Sequence, residues 1–155
     1  MAIIRYLFST LPIHLFMGGI SLTLFLATLN DRTHSEAIKL SLFLFFFNII
    51  GYLLLSSFLP KWFQAKEVLC STFFFLGLGL CIWAISFLTL QLGNLYFLYH
   101  IVGYTSFIWI PYSFTNISEE LGLKLGYLFS IIPSILIIFG FYVGKVHKGD
   151  SPAPL

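Results

Sequence analysis

The chain predicts an all-α, polytopic integral membrane protein: a bundle of five transmembrane helices joined by short loops. Three observations lead there. The residues from 68 to 118, 51 in all, hold no Asp, Glu, Lys or Arg, and shorter charge-free runs cover 6–30, 40–60 and 125–144. A crossing takes roughly 20 mostly apolar residues, so the four runs in chain order supply one, one, two and one. Charged residues make up 9% of the 155 positions and hydrophobic ones 59%, against about 25% charged in soluble domains. So few charges could not cover a water-facing surface. Finally, backbone N–H and C=O groups in hydrocarbon must bond within their own segment, and these continuous runs lack the alternation of a barrel strand, so each is helix.

The first helix is expected over 6–29, behind Arg5. It is longer than the apolar core of a signal peptide, about 7 to 15 residues, and no small-residue cleavage site follows it, so it reads as a span. The second, 38–59, stops at Pro60, which cannot continue a helix. The third and fourth, 68–90 and 95–114, share the longest run and are separated by a turn at Gln91–Asn94. The fifth, 122–144, holds Pro133, placed to bend it near mid-membrane, and a polar tail follows over 145–155. Trp62, Trp109 and Tyr112 fall near the expected membrane surfaces, where amphipathic rings prefer to lie. All of 1–155 is one domain, because no loop is long enough to fold alone.

Five crossings put the termini on opposite sides. That topology sets Arg5, Lys61, Lys66 and Lys124 against Arg32, Lys39, Lys145 and Lys148. The two sets are equal, so the bias of Lys and Arg toward the cytoplasm gives no orientation, and the identity of the membrane stays open.

Helices in lipid associate through close approach of small residues and through interhelical hydrogen bonds, so each span should carry one small or polar stripe. The fifth has Gly122, Gly126, Ser130 and Ser134 at intervals of four. The third has Cys70, Gly77, Cys81, Ala84 and Gln91 along one side, and the second has Ser41, Asn48, Gly51, Tyr52 and Ser56. The first contributes Thr10, His14, Gly18, Ser21 and Thr28; the fourth contributes Tyr96, His100, Gly103, Tyr104 and Pro111. Of these, Gly122, Gly126, Ser130, Ser134, Gly77, Cys81, Ala84 and Gly18 are the expected helix-packing positions.

Interior chemistry rests on four residues. Asn48 lies near the centre of the second span, where an unpaired amide costs several kcal/mol, so it must have a partner. His14, His100 and Tyr104 are the other candidates for interior polar or ligand contacts. The two histidines sit at levels roughly 10 to 15 Å apart by the rise of a helix, too far for one haem iron. No carboxylate, lysine or arginine lies away from the span ends, which disfavours ion-coupled transport. Cys70 and Cys81 lack metal-site spacing and read as packing residues. No catalytic residue set, metal cluster or nucleotide loop stands out, and no cofactor is expected. With a net charge of +2 spread over loops there is no basic stripe for nucleic acid.

The expected partners are therefore membrane lipids and other integral membrane subunits. The function that follows is a non-catalytic subunit or assembly factor of a membrane complex, acting through helix–helix contacts. The alternatives are a small carrier or channel for a neutral or apolar solute and a quinone- or haem-associated redox subunit.

Overall fold

The computed structural model describes residues 2–27, 34–89 and 119–147, and every regular element among them is helical. In chain order these are α1 (Ala2–Phe8), α2 (Leu11–Ala27), α3 (His34–Ser57), a 3₁₀ turn (Leu59–Lys61), α4 (Ala65–Thr89) and α5 (Glu119–His147). Two stretches, Leu42–Lys61 and Ala65–Ile85, are long and apolar enough to cross a membrane. The expected span 95–114, with His100 and Tyr104, lies outside the described residues.

The expected helix over 6–29 is two helices, broken at Ser9–Thr10. Pro12 is the cause. A proline within a helix has no N–H for the carbonyl four residues back and its ring presses against that carbonyl, which here belongs to Phe8, the last residue of α1. The second helix starts cleanly instead: the Thr10 carbonyl accepts from the N–H groups of Ile13 (3.1 Å) and His14 (3.3 Å). Pro12 then sits in the first turn, where its missing donor costs nothing.

Pro60 ends α3 in the same way, and Gln64 and Glu67 open α4. One carboxylate oxygen of Glu67 accepts from the Gln64 N–H at 2.8 Å while the Gln64 carbonyl accepts from the N–H groups of Glu67 and Val68. This is the return half of a capping box.

A core of Ile13, Met17, Tyr52, Leu59, Val68, Ile137 and Phe141 joins the helices. Around it, α5 packs on α3 and α4, α1 on α4, and α2 on α3. The exterior is apolar: Phe43, Phe46, Ile50, Phe73, Ile135 and Phe139 are all exposed. Ser9, Thr10, Ser21, Asn48, Ser56, Ser71 and Thr72 are buried. A water-soluble helical protein distributes these residue types the other way round.

Among the described glycines, Gly140 and Gly144 of α5 are set directly against the backbone of α3. A β-carbon at Gly140 would meet the Ser56 side chain and lie 2.7 Å from the Leu53 carbonyl oxygen; one at Gly144 would run into the Ser57 backbone, 2.9 Å from its Cα. The pair is a G-x-x-x-G, the spacing that brings two helix backbones together in membranes. The spacing is written in the sequence as Gly140-Phe-Tyr-Val-Gly144, C-terminal to the expected stripe at Gly122 to Ser134.

Because residues 140 and 144 ascend beside 53 and 57, α3 and α5 run parallel and their C-terminal ends lie together. His147 and Lys61 line one cavity, and Arg5 reaches the carbonyl of Trp62. Arg5 and His147 thus share one end of the described helices. The cations Arg5, Lys61, Lys66 and Lys145 gather at that end; Lys39 and Lys124 lie toward the far ends of α3 and α5.

Candidate functional site: a polar seam at the broken helix

The break in the first helix frees backbone groups that need partners, and α4 supplies them. The Ser71 hydroxyl accepts from the Thr10 N–H (3.1 Å), donates to the Leu7 carbonyl (2.9 Å) and lies 2.8 Å from the Thr10 hydroxyl. One turn earlier the Ser9 hydroxyl donates to the Glu67 carbonyl at 3.1 Å. Ser71 therefore satisfies two backbone groups that, left open in an apolar medium, cost about 1–3 kcal/mol each, and Ser9 ties the break to α4.

An ion pair closes the outer end of the seam. Arg5 Nε stands 3.2 Å from a Glu67 carboxylate oxygen, and the Arg5 guanidinium also donates to the Trp62 carbonyl at 2.5 Å. The same guanidinium lies 5.4 Å from the centre of the Phe63 ring. Arg5 keeps 53% of its side-chain surface exposed and Glu67 only 10%, so the carboxylate is the buried partner. Sequence reading assigned both residues to span ends; their pairing is a tertiary fact.

Further in, His14 Nδ1 lies 3.4 Å from the Tyr52 hydroxyl, and the imidazole rests between the rings of Tyr52 (5.7 Å) and Phe75 (5.3 Å). The next level down is Asn48, fully buried. Its amide nitrogen donates to the Leu44 carbonyl (2.6 Å) and to the Ser21 hydroxyl (3.0 Å), while Ser21 also lies 3.2 Å from the amide oxygen. Asn48 has the interhelical partner that its depth demands, on α2. Ser56 extends the pattern toward α5, its hydroxyl 2.5 Å from the Tyr52 carbonyl and 3.5 Å from that of Leu136.

Of the expected packing positions, Gly18 and Ser134 are buried inside the bundle. Ala84 is half-buried, and Gly77 and Cys81 are exposed on α4, with nothing within 4 Å of a β-carbon built at Gly77. Gly122, Gly126 and Ser130 belong to α5, and their surroundings lie outside the described residues. Cys70 and Cys81 are free thiols. Comparison of the chain with protein-family models, curated proteins and solved structures finds no match.

Beside the break runs an open apolar groove of about 430 Å³, walled by Pro12, Ile13, Phe16, Leu55, Phe58 and Trp62 among others. A second cavity of about 370 Å³ lies against the α3–α5 contact, lined by Ser57, Phe58, Lys61, Val143, Gly144 and His147.

Proposed function

We propose that this chain is a multi-pass membrane protein that serves as a non-catalytic subunit or assembly factor of a larger membrane complex. The observation that supports it is how the seam uses its polar groups. Arg5, Ser9, Thr10, Ser21, Asn48 and Ser71 bond across helices to groups of the same chain. Such a seam holds a bundle together and gives a solute little to bind. A broken helix beside a cavity would otherwise favour the carrier reading, but Ser71 already takes up the Thr10 N–H and the Leu7 carbonyl at the break.

On this reading the outer side of α4, small at Gly77 and Cys81, receives a partner helix. After mild detergent extraction from native membranes the chain should travel with an integral membrane partner in fixed ratio. Gly77→Leu should keep the melting temperature and lose that partner. Purification as a lone, monodisperse species would overturn the proposal.

The clustering of Arg5, Lys61, Lys66 and Lys145 among the described cations supports placing that end at the cytoplasmic side. Lys66→Cys in sealed, right-side-out vesicles should resist a membrane-impermeant maleimide until the vesicles are opened. Immediate labelling would reverse the orientation.

A further inference from the structure

The two cavities share the ring of Phe58, and their walls differ in chemistry. The larger is lined almost wholly by carbon, from Pro12, Ile13 and Phe16 on α2 across to Leu55 and Phe58, with Trp62 at 61% exposure among its lining residues. The smaller presents Lys61 and His147, with the Lys61 ammonium 4.9 Å from the centre of the Phe58 ring. Among the described residues the ion pair at this end joins Arg5 to Glu67, so the charge of Arg5 is already matched while Lys61 faces the cavity. An apolar trough ending at a cationic pocket, at the bundle end that carries an indole and most of the described lysines, is complementary to one kind of molecule in its surroundings.

We infer that this face is a binding site for an anionic phospholipid of the bilayer. One acyl chain lies in the groove between α2 and α3 with its terminus toward Phe16, and the phosphate sits against Lys61 and His147. Cavities of this size are in the range that hold small ligands. A basic pocket between helices is a known way to hold an acidic headgroup. The inference rests on the membrane reading above and goes beyond it, since an accessory subunit needs no lipid site.

The test uses the full chain reconstituted in phosphatidylcholine vesicles carrying a minor fraction of chain-brominated lipid, either phosphatidylglycerol or phosphatidylcholine. Bromine quenches tryptophan at contact, and Trp62→Phe isolates the part of the signal due to Trp62. Lys61 at the surface should enrich the anionic lipid about fivefold over the neutral one, seen as stronger quenching of Trp62 by brominated phosphatidylglycerol. Lys61→Gln with His147→Gln should abolish the excess and leave quenching by brominated phosphatidylcholine unchanged. Equal quenching by the two lipids in the unmodified chain would overturn the site, as would an excess that survives the double substitution. Flotation of the same vesicles keeps the outcomes apart: a chain that does not float with lipid refutes the membrane reading itself.

Discussion

Gly144→Leu is expected to lower the melting temperature in detergent by roughly 6–12 °C, the equivalent of about 3 kcal/mol in a chain of this size. The Gly144 α-carbon faces the backbone of Ser57, and even a β-carbon would lie 2.7 Å from the Ser57 carbonyl carbon. A flexible side chain could swing aside, but backbone cannot, so α5 must tilt away from α3. That movement also opens the Gly140 contact and withdraws Ile137 and Phe141 from the core. Gly77→Leu is the matched control, because space is open there, and an exposed helical glycine even costs about 1 kcal/mol relative to better helix formers. If the two variants melted together, the close approach of α3 and α5 would be refuted.

Arg5→Leu should cost about 2 kcal/mol, since it leaves the Glu67 carboxylate 10% exposed without a counter-charge and removes the donor to the Trp62 carbonyl. The figure falls below the 3–5 kcal/mol typical of fully enclosed pairs, roughly, because the guanidinium is half in solvent and partly screened. The informative experiment is the double variant with Glu67→Gln. An amide oxygen can still accept from the Gln64 N–H, so the capping bond survives while the stranded charge disappears. The double variant should therefore be more stable than Arg5→Leu alone. A cost equal to the sum of the single changes would mean that the two side chains do not interact.

Much of the fold was legible in the order of residues. Charge-free runs of Leu, Ile and Phe report their own solvent preference, since transfer from water to an apolar medium is close to additive over residues and needs no knowledge of neighbours. The helices α3 and α4 follow from that alone. Pro12 and the pair Gly140 and Gly144 were equally legible by local rules, a lost N–H in one case and a spacing of four in the other. Pro12 lies inside a long hydrophobic run whose hydropathy does not register a break, and the glycine pair follows a longer small-residue stripe of the same spacing.

What the sequence by itself determined is the all-helical class, two stretches long and apolar enough to cross a membrane and the need of Asn48 for a partner. These are properties of one residue or one segment in its solvent. Only the tertiary structure decided that Ser71 mends the break at Thr10, that Arg5 meets Glu67, that Ser21 answers Asn48, and that Lys61 and His147 share a pocket. Each of these joins residues far apart in the chain, and a hydrogen bond or ion pair acts over a few ångströms. Hydropathy cannot say which helix stands beside which, or whether two helices run the same way, and here the parallel course of α3 and α5 turns an even spread of charge into one cationic end.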